Sequence, residues 1–394
     1  MVMSDLITKA ESDEDWRRAA FPACRDRIFM AHAAVTAVPQ IAVSAMNEFN
    51  RQSATGELDY SRVLLKDMDE VRESAARIIE CDANEVALLG PTSLGLSLVA
   101  NGLDWNPGDE IVTYLDDYPA NVYPWKNLEE KGVKVVYLQP TEMGRITPEL
   151  VENAITPQTK LLALASNHFL TGWLLDVEAV SALAREHDVL FCLDAIQTVG
   201  AFPTLAKHVD FLSADSHKWM LGPMTAGIFY VKRSRFELLR PSLIGAWNVK
   251  SNNFISQDVV EFEPGGRRYE PGVLNSQGLV GMKASIDLLT GIGIPKVAAR
   301  LLDLKAALLE GLDRLGFDIV CPRSGPDTSG ITTFTNRAAP GQIEDLFSKL
   351  TDANIVASCR HDREGLPHIR LSPHFYNTHA EIERVLQVLD DAQA

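Results

Sequence analysis

Short, continuously apolar stretches alternate with amphipathic ones between about residue 85 and residue 231. The apolar stretches read EVALLG, EIVTYL, KVVYLQ, KLLALAS, VLFCLD, DFLSAD and GIFYVK, and helical patterns such as TPELVENAI and DVEAVSALAREH lie between several of them. Strands with no apolar and polar alternation are buried on both faces, which is typical of a mostly parallel sheet covered by helices. The pattern therefore predicts an α/β core.

The pattern changes towards the carboxyl end. A long helical stretch, IPKVAARLLDLKAALLEGLDRLG, precedes the shorter strand-like runs FDIVCP, GITTFTN, NIVASCR and HIRLSP. THAE predicts the start of the last helix, because Thr378 and Glu381 form a capping-box pattern. We expect three parts: an amino-terminal segment (1–30) that packs on the small domain, a large domain (31–280) and a small α+β domain (281–394).

Composition narrows the class of protein. The chain has 394 residues, 46% of them hydrophobic and 23% charged, and a formal net charge of −16. This acidic balance supplies no basic surface for nucleic acid or an anionic membrane, and no apolar run approaches the roughly 18 residues that span a bilayer. Five scattered cysteines without a C-x-x-C pair suggest neither a disulfide framework nor a metal site. We expect a cytosolic globular protein.

Polar residues follow several of the predicted strands. In an open parallel sheet, ligands bind beyond the carboxyl ends of the strands, where the loops meet. The residues at these ends are Thr92, Ser93, Asp117, Tyr118, Ser166, Asn167, Asp194, Gln197, His217 and Lys218. We expect their side chains to lie around one site.

Asp194 and Lys218 are the most informative pair. Asp194 ends an apolar strand and needs a partner, because an isolated buried carboxylate is costly. The pair could be a simple salt bridge, and Asp194 could cap a helix. It also matches the needs of pyridoxal 5'-phosphate, which binds a lysine as a Schiff base and needs a carboxylate to keep its pyridine nitrogen protonated.

Other residues fit the same cofactor, each with an ordinary alternative. Thr92 and Ser93 in GPTSLG stand at a predicted helix start, where backbone N–H groups favour a phosphate, although helix caps are common there. Tyr118 could lie on the cofactor ring or pack in its loop. Asn167 and Gln197 could donate to the phenolic oxygen of the ring or be surface amides.

Four separated segments resemble the class V aminotransferase family of fold type I enzymes. They are ASNHFLTGWLLDVEAVSALAREHDVLFCLDAIQTVGAFP, VDFLSADSHKWMLGPMTAGIFYVKR, RRYEPGVLN and IRLSPHFYNTHAEIERVL. The family includes cysteine desulfurases, selenocysteine lyases, isopenicillin N epimerase-like proteins and C–S lyases. The resemblance implies an α/β large domain with a mostly parallel seven-stranded sheet, a smaller C-terminal α+β domain, pyridoxal phosphate as cofactor, and a homodimer.

The resemblance also implies roles for individual residues. Lys218 would bind the cofactor covalently and act as the general base, and Asp194 would pair with the pyridinium. The other cofactor contacts would come from Thr92, Ser93, Tyr118, Asn167, Gln197 and His217. Ser216 would replace a phosphate-binding hydroxyl that relatives have at the position of Asp215, and Asn275 could reach the phosphate in the partner subunit, since Val273 replaces a threonine. Arg370 would bind the substrate carboxylate. His32 is at a position that borders the substrate in the family, or it is an ordinary hydrogen-bonded loop histidine. Arg360 lies close to the expected substrate mouth and could bind a second carboxylate or a polar side chain, or belong to a solvated charged loop.

The predicted reaction depends on whether the chain has the nucleophilic cysteine of the desulfurases. Desulfurases of the family have a nucleophilic cysteine on a loop shortly before the arginine, whereas HDREGLPH contains no thiol and Cys359 comes early, near a strand. The resemblance therefore implies an enzyme that removes the Cα proton of an α-amino acid to give a quinonoid, with aminotransferase or C–S lyase chemistry ahead of cysteine desulfurase or epimerase chemistry. A DNA-binding regulator that only senses the cofactor is disfavoured, because the chain before the core is short and acidic.

Overall fold

A seven-stranded sheet forms the centre of the large domain. The computed structural model describes residues 5–251 and 255–393. The sheet strands are β2 (Val86–Leu89), β3 (Glu110–Thr113), β4 (Lys134–Tyr137), β5 (Thr159–Ala165), β6 (Leu190–Asp194), β7 (Phe211–Asp215) and β8 (Gly227–Val231). Their order is β2-β8-β7-β6-β5-β3-β4, and every pairing is parallel except those of β8. The α/β prediction is confirmed.

Helices cover both faces of this sheet. The large-domain helices are α3 (Gln40–Thr55), α4 (Tyr60–Arg62), α5 (Met68–Ile79), α6 (Thr92–Gly102), α7 (Tyr123–Lys126), α8 (Pro148–Glu152), α9 (Val177–Glu186) and α10 (Ser276–Ile292). One apolar cluster joins α5, α9 and α10 to the sheet, and a second includes Leu96 of α6 and Trp125 of α7. The strands β2, β6, β7 and β8 are buried along their whole length, as expected for a sheet with both faces covered, whereas the edge strand β4 is only partly buried.

The carboxyl-terminal part packs helices on small sheets. Its helices are α11 (Ile294–Arg314), α12 (Gly341–Asp352) and α13 (His379–Asp391). A four-stranded antiparallel sheet contains β9 (Asp318–Ile319), β10 (Thr332–Thr335), β12 (Ser358–His361) and β13 (Pro367–Leu371), in the order β12-β13-β10-β9. The predicted capping box is confirmed: Thr378 accepts from the backbone of Glu381, and Glu381 accepts from the backbone of Thr378.

The amino-terminal segment lies against the carboxyl-terminal part. It contains α1 (Leu6–Ser12), α2 (Glu14–Ala20) and β1 (Ile28–Phe29), and β1 pairs with β11 (Ile355–Val356). Arg17 forms a buried ion pair with Glu381 at 2.7 Å. A third apolar cluster, here called the joining cluster, includes Leu6, Phe21, Trp219, Leu301 and Phe375. It ties the amino-terminal helices and α11 to the loop that contains Lys218. The division of the chain at residues 30 and 280 stays a prediction.

Within the described ranges, no helix is long and apolar enough to cross a membrane. The same residues contain no group of three or more His, Cys, Asp or Glu side chains suited to a metal ion.

Candidate active site

A cavity of about 240 Å³ lies at the carboxyl edge of the central sheet. A narrow recess continues from it towards Asp117, Asn167 and Phe169. The predicted site residues that line the cavity or the recess are Thr92, Ser93, Tyr118, Asn167, Asp194, Gln197, His217, Lys218, Arg360 and Arg370. A larger cavity of about 570 Å³, near Arg145 and His208, contains Ser166, a strand-end residue that was expected at the site and does not line it. The strand ends thus bring the other side chains around one cavity, and their roles stay predictions.

Lys218 and Asp194 are buried side chains at the ends of adjacent strands. The Asp194 carboxylate accepts from the backbone of Ile196 at 3.1 Å, and burial raises its pKa. Burial also lowers the pKa of Lys218 to about 8, while the charge of Asp194 acts in the opposite direction. A lysine with this pKa is partly neutral near physiological pH, so it can attack an aldehyde carbon. Its Nζ lies 5.2 Å from the centre of the Tyr118 ring.

Asp117 is a second buried acid at the site, and its position at a strand end was predicted without a role. Its carboxylate accepts from the backbone of Tyr118 at 2.7 Å and from the Asn121 amide at 3.0 Å. Burial, and then the nearby charge of Asp194, raises its pKa to about 7. Asp117 thus orients the loop that places the Tyr118 ring beside Lys218.

The start of α6 forms one wall of the cavity. Pro91 precedes the helix and supplies no side-chain cap, so no side chain of the residue before the helix occupies the N–H groups of the first turn. Thr92 Oγ1 accepts from the backbone of Asp215 at 2.9 Å, which leaves its own proton available to a ligand. Such a helix start favours a phosphate.

Asp215 faces away from this wall. Its carboxylate lies 2.8 Å from Nδ1 of His217 and accepts from the backbone of Thr225 at 3.1 Å. The acid therefore holds His217, which lines the cavity, and does not oppose an anion there.

Ser216 and Asn275 do not reach the cavity of this chain. The Ser216 hydroxyl is fully buried and donates to the carbonyl of Pro223 at 2.8 Å, so it does not replace the hydroxyl missing at position 215. Asn275 caps α10 by accepting from the backbone of Gly278 at 3.1 Å, and its amide nitrogen donates to Thr225. Both side chains are used in turns that the sequence did not reveal.

His32 is also outside the cavity. It is fully buried, Nδ1 bonds the carbonyl of Ser372 at 2.9 Å, and Nε2 bonds the Tyr376 hydroxyl at 2.7 Å. Burial lowers its pKa well below the usual value, so the ring is neutral. Both ring nitrogens have protein partners, and contact between His32 and the substrate stays a prediction.

Two buried polar groups at the site have atoms without partners among the described residues. They are both amide atoms of Asn167 and the Nε and Nη2 atoms of Arg370. Arg370 donates one bond, from Nη1 to the carbonyl of Phe169. Burial, and then the charge of Arg360, lowers the pKa of Arg370 to about 9. Unpaired buried donors are costly, so this arrangement is typical of a binding site for an anionic ligand.

Cys359 points away from the site. It lies on β12 and packs against the apolar cluster of the carboxyl-terminal part, while the next residue, Arg360, lines the cavity. Burial raises the pKa of Cys359, which disfavours its thiolate. Arg363 is bound to Asp116 and to the carbonyl of Leu115, and it does not line the cavity or its recess. Among the described residues, no cysteine lines the cavity or its recess.

The residues present fit pyridoxal 5'-phosphate. Lys218 supplies the amine, Asp194 the carboxylate for the pyridine nitrogen, the start of α6 a phosphate site, and Asn167 an unpartnered buried amide. The fold and this site together define a fold type I enzyme that depends on pyridoxal phosphate. Residues 28–385 match the Aminotransferase class-V family model, and the chain belongs to that family.

Known relatives agree with this class. The chain is 27% identical, over 96% of its length and 97% of the relative's, to a "Probable cysteine desulfurase" of Methanothermobacter thermautotrophicus. The apo structure of the cysteine desulfurase from Thermococcus onnurineus NA1 superposes with a TM-score of 0.87 at 26% identity, covering 96% of this chain and 97% of that one. The cystine C–S lyase C-DES, solved with cysteine persulfide, shares the fold with a TM-score of 0.86 at 20% identity, covering 94% and 99%.

Proposed function

We propose that this enzyme is a pyridoxal phosphate-dependent C–S lyase that cleaves a sulfur-containing amino acid by β-elimination, without a thiol of its own. The observation behind the proposal is the content of the cavity: an amine and two guanidinium groups face it, and no cysteine of the described residues does. Desulfuration by persulfide transfer needs a thiolate at the substrate. Elimination needs only a base for the Cα proton and groups that orient the substrate.

The relatives favour cleavage of a carbon–sulfur bond over the other reactions of the family. Both the curated relative and the solved desulfurase are named for it, and C-DES is named a cystine C–S lyase. For this reason we rank elimination above transamination and epimerisation, which use the same Cα proton removal.

Arg370 and Arg360 give the proposal its substrate class. Arg370 is buried with two free donor atoms, and a guanidinium matches a carboxylate with two parallel hydrogen bonds. Arg360 faces the same cavity from β12 and has an exposed side chain. Two guanidinium groups in one cavity fit an amino acid with two carboxylates, such as cystine, better than one with a single carboxylate.

Lys218 is the base in this proposal. When bound, the cofactor supplies a protonated ring that accepts the electrons left on Cα. Asp194, Asn167 and Gln197 would hold the ring, and Thr92, Ser93 and His217 would hold the phosphate. The low pKa of Lys218 keeps its amine competent to take the Cα proton near neutral pH.

The reaction balances without an oxidant. Lys218 takes the Cα proton, the Cβ–S bond breaks, and the sulfur leaves with that bond's electron pair and a proton. For cystine the leaving group is cysteine persulfide, and water converts the three-carbon remainder to pyruvate and ammonia. Arg370 would hold the α-carboxylate during these steps, and Arg360 the carboxylate of the leaving half.

Cysteine desulfuration is the second candidate, favoured by the names of the relatives. It would require Cys359 to leave its position against the apolar cluster.

We also expect a homodimer, as the resemblance implies. Several large apolar side chains with more than half of their surface exposed are compatible with a partner surface: Met224, Ile244, Val259, Val260 and Val273.

Product analysis separates these reactions. Purified holoenzyme is incubated with L-cystine or L-cysteine, and pyruvate, ammonia, sulfide and persulfide are measured for wild type, Lys218→Ala and Cys359→Ser. We expect pyruvate with persulfide from cystine in wild type and Cys359→Ser, and none with Lys218→Ala. A persulfide on Cys359 with alanine as product would establish desulfuration, and conversion of the cofactor to its pyridoxamine form without sulfide would establish transamination.

A further inference from the structure

Gln197 is held at both ends of its amide by groups that cannot exchange roles. The indole N–H of Trp219 donates to Oε1 at 2.8 Å, and Nε2 donates to the carbonyl of Ala33 at 3.1 Å. An indole nitrogen can only donate, and a carbonyl can only accept. The amide therefore has a single orientation, set by its two partners.

This orientation decides what Gln197 offers to the site. Gln197 lines both the cavity and the recess that contains Asn167, Asp194 and Lys218. Its oxygen is directed at Trp219, and one of its two N–H groups is used by Ala33. The group left for a ligand is the second N–H of Nε2, which is a donor.

We propose that Trp219 is a positioning residue: its indole N–H fixes Gln197 as a hydrogen-bond donor to the phenolic oxygen of pyridoxal phosphate and thereby tunes the protonation of the cofactor bound at Lys218. The proposal rests on the assignment of Lys218 and Gln197 to the cofactor site made above. It does not depend on which reaction the enzyme catalyses.

The buried surroundings of Trp219 restrict the movement of its indole beside Gln197. Its side chain is 1% exposed and belongs to the joining cluster. Its carbonyl accepts from Nε2 of His374 at 3.0 Å, and Nδ1 of His374 accepts from the backbone of Phe375 at 2.8 Å. His374 thus holds the backbone of Trp219, and the indole ring is buried in a cluster that includes residues of the amino-terminal helices and of the carboxyl-terminal part.

The direction of the effect follows from charge. When the nitrogen that links Lys218 to the cofactor loses its proton, the phenolic oxygen keeps a negative charge that the proton no longer balances. A donor to that oxygen stabilises this deprotonated form and lowers the pKa. Trp219→Phe keeps an aromatic ring but removes the N–H, so Oε1 of Gln197 loses its donor and the amide is held at one end only, by the carbonyl of Ala33. We expect the pKa of the bound cofactor to rise by about half a unit to one unit.

The test is a pH titration of the visible absorption band of the holoenzyme. Four proteins are compared: wild type, Trp219→Phe, Gln197→Leu and the double variant. We expect both single variants to raise the pKa and the double variant to match Gln197→Leu, because Trp219 acts through Gln197. Trp105→Phe is the matched control, since its indole donates to the carbonyl of Ala100 at 2.7 Å and it lies outside the cavity.

Two results would overturn the role of Trp219. One is an unchanged pKa in Trp219→Phe, and the other is an equal shift whether or not Gln197 is present. These differ from failure of the site assignment itself, which would show as a wild-type protein without a titrating band or as a band that survives Lys218→Ala.

A second measurement covers the case in which Trp219→Phe does not bind cofactor. The chain has six tryptophans, so indole ¹⁵N labelling gives few resonances. Gln197→Leu identifies the Trp219 resonance as the one that loses its acceptor. In wild-type holoenzyme this resonance must move with pH in parallel with the visible band, and a resonance that stays constant through the titration contradicts the proposal.

Discussion

Replacing Arg370 with methionine should weaken catalysis and stabilise the protein at the same time. Arg370 is 1% exposed, and its Nε and Nη2 atoms have no partner among the described residues. The protein therefore bears the cost of a buried cation that a substrate carboxylate would offset. Met has a similar length and no charge to bury.

The loss of two hydrogen bonds sets the expected fall in kcat/KM, and the loss of the buried charge sets the expected gain in stability. Hydrogen bonds to a charged group contribute about 1.5–3 kcal/mol each, so losing two of them lowers kcat/KM by about 10² to 10⁴-fold. Burial lowers the pKa of Arg370 to about 9. At about 1.4 kcal/mol per pKa unit this lowering bounds the cost of the buried charge at roughly 5 kcal/mol. We expect a gain of about 1–3 kcal/mol, because relaxation around the charge reduces the cost.

The assay compares an amino acid with its carboxamide. Initial rates and spectral titrations with both compounds show whether the carboxylate is what position 370 recognises, and thermal melting at saturating cofactor gives the stability. The kcat/KM of wild type should be about 10² to 10⁴-fold higher for the amino acid than for its carboxamide, and Arg370→Met should show no such preference. Arg370→Lys is the control that keeps a charge and loses the two parallel bonds. If wild type and Arg370→Met discriminate equally, or if the variant melts lower, the assignment of Arg370 is wrong.

Three further predictions concern Lys218, Arg360 and Cys359. The rate at which apoenzyme takes up pyridoxal phosphate, followed by absorbance, should rise about tenfold per pH unit below 8 and flatten above it, because Lys218 has a pKa of about 8 and reacts when neutral. Asp194→Asn should move the flattening to lower pH, since Asp194 raises that pKa, and an unmoved profile would contradict this. Arg360→Met should raise KM for cystine about tenfold or more and leave KM for cysteine nearly unchanged, whereas an equal rise for both would exclude a second carboxylate site. Cys359→Ser should release pyruvate from cystine at the wild-type rate in a coupled assay. Loss of this activity would show that the Cys359 thiol takes part in the reaction.

The sequence predicted the residues whose position follows from strand ends. Thr92, Asp194 and Lys218 each follow or end a buried strand of one sheet, and strands packed side by side bring their ends to one edge. Because these residues are a lysine, a carboxylate and a hydroxyl at a helix start, they narrowed the choice of cofactor to pyridoxal phosphate. No long-range information was needed beyond the parallel order of the strands.

The contacts that the sequence did not predict join distant parts of the chain or depend on turn geometry. His32 bonds Ser372 and Tyr376, which lie 340 and 344 positions away. Ser216 is seven positions from Pro223, but only the shape of the turn shows that its hydroxyl points there. The role of Trp219 likewise requires knowing that Gln197 lies beside it. Motif spacing describes none of these contacts.

The most direct test of the account is to locate the cofactor on the chain. Holoenzyme is reduced with borohydride, digested, and the peptides are sequenced by mass spectrometry to find the lysine that retains the pyridoxyl group. The account predicts that Lys218 is modified and that Lys218→Ala shows no modified lysine and no visible band. A pyridoxyl group on another lysine, or wild-type turnover in Lys218→Ala, would contradict it.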